Sequence, residues 1–175
     1  MKNHIALFEP LMPANTGNIA RTCAATNTTL HLIHPLGFST EDKMLKRAGL
    51  DYWDKVAIIE HDNLDSFLSY VGNKKLYLIT KFAPNIYTNV DLSQNEYSEQ
   101  FFLFGKETTG LPIDLMEKYK ADSLRIPMND EHVRSLNLSN TANIVIFEAL
   151  RQQAWAGLED VHHYDDTEKA RQLNW

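Results

Sequence analysis

Short apolar segments alternate with helical patterns along most of the chain. Leu64, Phe67, Leu68 and Val71 recur with the spacing of one helix face, whereas Phe101–Phe104 is apolar at every position, as in a parallel strand that is covered on both faces. Strands that alternate with helices predict an α/β sandwich built on a parallel sheet. The strand-like segments are predicted at His4–Phe8, Leu30–His34, Val56–Ile59, Leu76–Thr80, Phe101–Phe104 and Ser123–Ile126.

Capping residues predict further helices. One runs from Thr16 to about Thr26 with Asn15 or Thr16 as its N-cap, and another begins at Pro112. The last extends from about Asn140 to Ala156 with Gly157 as its C-cap. This last helix is apolar nearly all round, so it is predicted to be mostly buried.

Length and composition are those of an ordinary globular protein. The 175 residues are 43% hydrophobic, which predicts one domain over residues 1–157, followed by a polar tail over 158–175. No apolar run approaches the roughly 20 residues of a membrane helix, and Met1–Ile5 lacks the apolar region of a signal peptide, so a cytoplasmic location is predicted. The single cysteine, Cys23, lies among small apolar residues, which favours a buried hydrophobe over a reactive thiol.

The net charge of −6 argues against a protein coated in positive charge for non-specific binding of nucleic acid. A local basic patch remains compatible with this charge. Lys43, Lys46 and Arg47 share one face of a short predicted helix. The alternative interpretation of these cations is an ordinary solvated helix surface.

Two common nucleotide-binding motifs are absent. The first junction between a strand and a helix, Met12–Asn18, contains one glycine, so the G-x-G-x-x-G fingerprint of dinucleotide-binding folds is missing. Gly105 and Lys106 suggest a phosphate loop, but Glu107 follows where that motif requires Ser or Thr. The sequence therefore argues against an NTPase or a dinucleotide-dependent enzyme.

A structural metal site is not predicted either. His31 and His34 lie on one predicted strand, where their side chains point to opposite faces. His162 and His163 have no acidic or thiol cluster at the spacing of metal ligands.

Three polar segments remain as candidates for chemistry, and the first is Asn15–Arg21. It is a turn that opens into a helix, and it places Asn18 and Arg21 three residues apart on one face, where they form a fork of hydrogen-bonding groups. The alternative is an ordinary helix cap followed by a surface arginine.

The second candidate segment is Phe104–Pro112, a strand end that leads through a loop with two glycines into a helix. Loops at the carboxyl ends of parallel strands are where α/β sheets bind ligands. Glycines there let the backbone approach a flat ring, and Glu107 offers an acceptor. The alternative is a turn whose glycines only satisfy backbone geometry.

The third candidate segment begins at another strand end, Arg125–Met128, and continues through a loop into Ser135–Asn140. One helix cap needs one Ser or Asn, and this segment carries four. A helix start also presents unpaired backbone N–H groups that can bind a ligand. The segment is therefore the strongest sequence signal for a site.

Together the three segments resemble the SPOUT superfamily of RNA methyltransferases. The order is that of the family: Asn15–Arg21 near the start, the F-G-x-E-x-x-G-L-P loop at Phe104–Pro112, and I-P-M at Ile126–Met128 followed by S-L-N-L-S-N at Ser135–Asn140. The resemblance spans residues 4 to about 157. It is closest to the small single-domain branch, which includes Lys46–Tyr52 and methylates the ribose of the tRNA wobble nucleotide.

The resemblance implies a homodimer, a parallel-sheet three-layer α/β/α sandwich with a C-terminal trefoil knot, S-adenosylmethionine as cofactor and tRNA as partner. It also implies three sets of site residues. The cofactor pocket would use Ile79, Thr80, Gly105, Ile126 and Ser135, and the catalytic group would comprise Arg21, Asn15, Glu107, Ser135 and Asn137. The anticodon stem-loop would contact a basic rim of Lys43, Lys46, Arg47 and Lys106, completed across the dimer.

Arg21 is the implied activator of the ribose hydroxyl. A guanidinium keeps its proton at ordinary pH, so it is a poor base. The hypothesis is that Arg21 clamps a neighbouring phosphate and stabilises the negative charge that develops on the oxygen.

Two other functions stay open on the sequence alone. The same transfer chemistry serves another tRNA ribose or ribosomal RNA equally well, because the target is selected by surface shape. A catalytically silent RNA-binding protein of the same fold is the second alternative, and the presence of the complete set of catalytic candidates disfavours it.

Overall fold

The computed structural model describes residues 1–39, 55–159 and 161. The strands within these residues are β1 (Lys2–Phe8), β2 (Thr29–Ile33), β3 (Ile58–His61), β4 (Lys75–Ile79), β5 (Asn85–Ile86), β6 (Glu99–Phe104) and β7 (Ser123–Arg125). They form one sheet in the order β3-β2-β1-β6-β4-β7-β5, and every neighbouring pair is parallel. This confirms the predicted parallel α/β architecture.

The α-helices are α1 (Pro13–Thr26), α2 (Leu64–Val71), α3 (Ile113–Lys118) and α4 (Leu138–Gln152), with short 3₁₀ turns at Tyr87–Asn89 and Lys120–Asp122. The first three helices lie in connections between strands, and α4 follows the last strand. Helix α2 begins with a capping box in which the Asn63 side chain accepts from the Ser66 N–H and the Ser66 hydroxyl oxygen accepts from the Asn63 N–H. Its apolar face is the one predicted from the spacing of Leu64 and Val71.

Alternate residues of the central strands enter two separate apolar clusters. In β1, Ile5 and Leu7 belong to a cluster with α1 and α4, while Ala6 belongs to one with α2 and α3. Successive side chains of a strand point to opposite faces, so helices cover both faces of the sheet. This explains why Phe101–Phe104 is apolar at every position.

Two predicted helix boundaries are wrong. Helix α1 begins at Pro13 after Met12, and neither Asn15 nor Thr16 is its N-cap, because a proline fits the first helical turn. Helix α4 begins after Asn137, whose side-chain oxygen accepts from the Ser139 and Asn140 N–H groups, so the cap lies three residues before the predicted start.

The predicted end of the last helix is also wrong. The C-cap of α4 is Gln153, and Gly157 lies beyond it at φ +83°. Most of the helix is buried or half-buried, as predicted, but Phe147 is 44% exposed. The strand β5 was missed because two residues carry no periodicity.

Cys23 is fully buried on α1 within the apolar cluster of that face. Burial raises the pKa of the Cys23 thiol, which keeps it protonated and inert. This confirms the prediction of a small buried hydrophobe. Among the described residues, no helix has the length and apolar character needed to cross a membrane.

Three buried histidines form a hydrogen-bonded chain on the face of the sheet that α2 covers. His4 Nδ1 lies 2.9 Å from His31 Nε2, and His31 Nδ1 lies 2.9 Å from His61 Nε2. Phe67, which is buried, packs edge-on against His31 and His61. We call these three residues the histidine chain.

The histidine chain is neutral at physiological pH. Burial, helped by the positive charge of Lys2, lowers the pKa of His4 to about 4. Burial together with the neighbouring histidines lowers the pKa of His31 to about 3, and burial also lowers the pKa of His61. Each neutral ring therefore carries one N–H, and one proton serves each hydrogen bond.

The direction of these hydrogen bonds follows from His4, the inner end of the histidine chain. His4 Nε2 is buried and has no hydrogen-bond partner among the described residues. An unpaired acceptor lone pair there is cheaper than an unpaired N–H, so we assign the N–H of each ring to Nδ1. His4 then donates to His31, His31 donates to His61, and the last N–H lies at the outer end of the chain.

Candidate active site at the carboxyl edge of the sheet

The ends of four neighbouring strands bring the sequence motifs together. Leu7 of β1 and Ile79 of β4 both pair with Phe104 of β6, and Ile79 also pairs with Leu124 of β7. The residues that follow these strands therefore lie along one edge of the sheet, the position where parallel α/β folds bind ligands.

Glu107 joins the second motif to the first. One carboxylate oxygen accepts from the Leu11 N–H at 2.9 Å, and the other accepts from the Met12 N–H at 3.1 Å and from Asn15 Nδ2 at 3.2 Å. These groups stand at the start of α1, where backbone N–H groups lack helical partners. The negative charge is thus held by three donors at a helix N-terminus, which is favourable for an anion.

Asn15 and Asn137 join the first motif to the third. Asn137 Nδ2 donates to Asn15 Oδ1 at 3.0 Å, while Asn137 Oδ1 accepts from the Ser139 hydroxyl at 2.7 Å and from backbone N–H groups at the start of α4. Both amide orientations are fixed by these partners. Glu107, Asn15 and Asn137 form a continuous hydrogen-bonded set that we call the amide network.

The loop of the second motif closes tightly on itself. The Gly110 N–H donates to the Lys106 carbonyl at 3.0 Å, and Gly110 has φ +73°. A Cβ placed on Gly105 would lie 2.6 Å from the Gly110 carbonyl carbon. The loop's own backbone therefore requires glycine at position 105, which holds Glu107 in place against α1.

The residues predicted for the cofactor lie on adjacent strand ends. Ile79 is buried at the end of β4, and the Thr80 N–H donates to the Leu124 carbonyl at 3.1 Å. Gly105 follows β6 on one side of β4, and the half-buried Ile126 follows β7 on the other. Ser135 is exposed in the loop that precedes α4.

Arg21 lies apart from the amide network. It is six residues beyond Asn15 on α1, which places it about 9 Å further along the helix axis and about two-thirds of a turn around it. Asn15 is buried, whereas Arg21 is on the exposed side of the helix. The structure thus gathers Asn15, Glu107 and Asn137 by direct contact and leaves Arg21 and Ser135 exposed to solvent.

The predicted basic rim is described at one position only. Lys106 Nζ forms a 2.8 Å ion pair with Glu9, and both side chains are about three-quarters buried. Lys43, Lys46 and Arg47 lie outside the described residues. The rim stays a prediction.

Sequence reasoning missed a group of cations near this edge. Lys81, Arg125 and Arg134 surround a cavity together with an exposed aromatic side chain, Phe82. The signal that would have found them is adjacency, because Lys81 follows Thr80, Arg125 precedes Ile126 and Arg134 precedes Ser135.

A parallel sheet with polar loops gathered at its carboxyl edge defines a ligand-binding α/β domain. Residues 2–147 match the SpoU rRNA Methylase family, and the chain belongs to this family. The resemblance to SPOUT methyltransferases that the three motifs indicated is thereby confirmed.

Relatives of known structure or name share most of the chain. A protein of Lactococcus lactis subsp. cremoris, provisionally named a tRNA (cytidine(34)-2′-O)-methyltransferase, is 58% identical over 164 residues, which are 93% of this chain and 96% of the relative. A structure solved to explain 2′-OH methylation of C/U34 on tRNA is 35% identical with a TM-score of 0.81, and the match covers 88% of this chain and 97% of that one.

A more distant neighbour shows the fold alone. The AdoMet-bound rRNA methyltransferase of Sinorhizobium meliloti is 24% identical with a TM-score of 0.76. The match covers 86% of this chain and 56% of that protein.

Proposed function

We propose that this chain is a cytoplasmic tRNA (cytidine(34)-2′-O)-methyltransferase. It transfers a methyl group from S-adenosylmethionine to the ribose 2′-hydroxyl of the wobble nucleotide, cytidine or uridine 34. The observation that carries the proposal is the amide network, which joins the three family motifs at the carboxyl edge of the sheet. The proposed substrate is the one that the name of the relative from Lactococcus lactis and the description of the similar solved structure give for those proteins.

The cofactor is held, in this proposal, by Ile79, Thr80, Gly105, Ile126 and Ser135. The donor set fits such a molecule because backbone groups of three adjacent strand ends lie beside the half-buried side chain of Ile126. Apolar walls and a few fixed polar groups are what a pocket for an adenosine requires. When bound, S-adenosylmethionine supplies an electrophilic methyl group, whose bond to sulfur breaks with its electron pair as the bond to the ribose oxygen forms.

The amide network acts as a positioning device. Each oxygen of the Glu107 carboxylate already accepts at least one N–H hydrogen bond, so Glu107 holds the first βα junction in place. Asn15 and Asn137 transmit that position to the start of α4. Alignment of the reacting groups is a large part of the catalysis of a transfer reaction.

Arg21 and Ser135 are the groups that meet the substrate. Both side chains are exposed to solvent. The guanidinium of Arg21 clamps a phosphate and stabilises the charge that develops on the 2′-oxygen, and the hydroxyl proton passes to water. The basic rim of Lys43, Lys46, Arg47 and Lys106 attracts the anticodon stem-loop.

The functional form is a homodimer in this proposal. Phe147 of α4 is 44% exposed and Trp155 is 43% exposed, and their ring centroids lie 6.3 Å apart. They border an apolar cavity of about 640 Å³ between the end of α1 and the residues after α4. Paired large aromatic side chains of this kind mark a protein contact, and a second copy covers them.

Sedimentation velocity tests the dimer. Phe147→Glu should shift the protein to the monomer, because a carboxylate would be buried in the apolar contact. Ile113→Glu is the matched control, since Ile113 is 69% exposed on α3 and should leave the dimer intact. A dimer that survives Phe147→Glu would contradict the proposed contact.

The finer architecture is a three-layer α/β/α sandwich over residues 1–157 with a C-terminal trefoil knot. Support for the knot comes from the long connection between β4 and β6, which contacts the end of α4. The Leu92 N–H donates to Gln152 Oε1, and Gln152 and Gln153 donate to the Val90 and Leu92 carbonyls. A C-terminal helix held by that connection is the arrangement expected of a chain tucked through it.

The decisive experiment uses labelled S-adenosylmethionine and tRNA from cells that lack this gene. Nuclease mapping and mass analysis then identify the methylated nucleoside. A 2′-O-methyl group at position 34 is the expected result. Label on another tRNA or ribosomal ribose would overturn the target, and binding of the cofactor without transfer to any RNA would make the chain a silent RNA-binding protein.

A further inference from the structure

A second polar feature adjoins the candidate active site. An open cavity of about 430 Å³ lies beyond the ends of β4 and β7. At three places its lining residues are the direct neighbours, in sequence, of residues proposed for the site. The lining residues are Lys81, Phe82, Arg125, Asp130, Val133 and Arg134.

The aromatic residue of this cavity is unusually exposed. Phe82 is 74% accessible to solvent, and Lys81 Nζ lies 5.1 Å from the centre of its ring. The turn after β4 fixes its position, because the Phe82 N–H reaches the Thr80 hydroxyl oxygen and the Ala83 N–H donates to the Thr80 carbonyl. A flat apolar ring is thus presented to solvent beside a cation, as in surfaces that stack nucleic-acid bases.

The charges around the ring are mostly positive. Lys81, Arg125 and Arg134 stand against one carboxylate, Asp130, which lies 3.3 Å from an Arg125 nitrogen. Lys81 Nζ also donates to the Arg134 carbonyl at 3.0 Å, which ties the loop after β4 to the loop that carries Ser135. In a chain with net charge −6, this concentration of cations is a local departure from the average.

The positive charge of the cavity distinguishes between the two ligands that could bind at this edge of the sheet, the cofactor and the RNA. S-adenosylmethionine carries a sulfonium and an ammonium against one carboxylate, so its net charge is positive and a cationic cavity disfavours it. The RNA backbone carries one negative charge per nucleotide and is attracted. The cavity therefore fits the RNA substrate better than the cofactor.

We infer that Phe82 stacks on a base of the substrate RNA next to the reacting ribose, while Lys81, Arg125 and Arg134 bind the phosphates on either side. The inference rests on the proposed function and deepens it. Phe82 is a positioning residue for the RNA and touches neither the methyl group nor the cofactor.

Binding of an anticodon stem-loop RNA tests the assignment without requiring catalysis. By fluorescence anisotropy, Phe82→Ala should weaken binding of the RNA about tenfold, and Phe82→Trp should restore it. Tyr97→Ala is the matched control, because Tyr97 is also exposed, at 43%, but precedes β6 at the opposite edge of the sheet. The dissociation constant of S-adenosylmethionine should stay the same in all three variants.

The phosphate contacts have a separate signature. Arg134→Ala and Lys81→Ala should each lower the slope of log Kd for the RNA against log salt by about one. Unchanged slopes would remove these residues from the RNA contact.

Failure of this inference is distinguishable from failure of the proposed function. If the wild-type protein methylates tRNA but Phe82→Ala binds the stem-loop normally, the stacking site is wrong and the enzyme assignment stands. If Phe82→Ala weakens binding of S-adenosylmethionine instead, the cavity belongs to the cofactor. If Phe82→Ala weakens RNA binding while the wild-type protein transfers no methyl group, the RNA site stands and the enzyme assignment falls; a wild-type protein that does not bind the stem-loop overturns both.

Discussion

The amide network and the histidine chain are both hydrogen-bonded sets of polar side chains, and they differ in where they lie. The amide network stands at the ends of strands and the starts of helices, and Ser135, two residues before Asn137, is exposed there. The histidine chain lies beneath α2 among aromatic rings, and the atom at its inner end, His4 Nε2, has no hydrogen-bond partner within the part of the protein that the structure describes. Unusual polarity therefore does not define a site by itself, because a site also needs groups that a ligand can reach.

Lowering the pH should destabilise the folded protein mainly through the histidine chain. Because the folded pKa values of His4 and His31 lie below the ordinary 6.5, the unfolded chain takes up protons that the folded chain refuses. Above about pH 6.5 the free energy of unfolding should keep the full contribution of these histidines. Below that pH it should fall by about 1.4 kcal/mol per pH unit for each histidine that stays neutral in the folded protein. Urea unfolding between pH 7.5 and 5 measures this loss.

Two variants test whether the histidine chain causes the loss of stability in acid. His4→Phe should reduce the slope of the free energy of unfolding against pH by the contribution of one histidine. His132→Asn changes an exposed residue in the loop before α4 and should leave the slope unchanged. Stability that is flat between pH 7 and 5 in the wild-type protein would contradict the neutral histidine chain.

Removing the charge of Arg21 should have the largest effect on the turnover number. Arg21→Ala should lower the turnover number by about a hundredfold to a thousandfold, since a preorganised positive charge is lost where negative charge develops. Arg21→Lys should keep part of the activity. Steady-state kinetics and cofactor binding measured together provide the check, and equal losses of turnover and cofactor affinity would count against the assigned role.

Changing one atom of Asn15 should break the amide network. In Asn15→Asp, a carboxylate oxygen replaces the donor that now lies 3.2 Å from Glu107, so two negative charges face each other in a buried position. The free energy of unfolding should fall by about 2 kcal/mol. Asn18→Asp on the exposed side of the same helix is the matched control and should stay within about 0.5 kcal/mol of the wild-type value in urea unfolding.

Substitutions at the two ends of the histidine chain test the assigned direction of its hydrogen bonds. His61→Phe leaves an N–H of His31 buried without an acceptor, which should cost about 1–3 kcal/mol at pH 8. His4→Phe replaces one unpaired acceptor, His4 Nε2, by another, His31 Nε2, and should cost less than about 1 kcal/mol. Equal losses of the free energy of unfolding in the two variants, measured by thermal or urea unfolding, would contradict the assigned direction.

Six of the seven strands that the structure describes could be predicted from the sequence. The continuous apolar run at Phe101–Phe104 predicted a strand covered on both faces, because burial leaves no polar face to alternate with. The second and third polar segments each follow a predicted strand end, and parallel strands end on the same side of a sheet, so the sequence also favours one shared edge for these two. The first of these expectations rests on the period of side chains along an element, and the second rests on the common direction of the strands.

Partners that are distant in sequence could not be predicted. Nothing in the first motif indicated that Asn15 would be buried inside α1 against Glu107, because the same residue also suits a helix cap. His4, His31 and His61 belong to three strands, so only the register of the sheet reveals that their rings meet. Phe82 resembles an ordinary apolar residue after a strand until its exposure is known.

The position of Asn15 in the chain has a consequence for how the enzyme is made. Its two side-chain partners lie 92 and 122 residues further along, and the neighbouring strands β1 and β6 join Lys2 to Glu99. A growing polypeptide that has emerged only as far as the middle of the chain contains neither partner. Contacts of such long sequence separation slow the folding of a domain, so the molecule should gain its ability to act on RNA only after nearly all of it has left the ribosome.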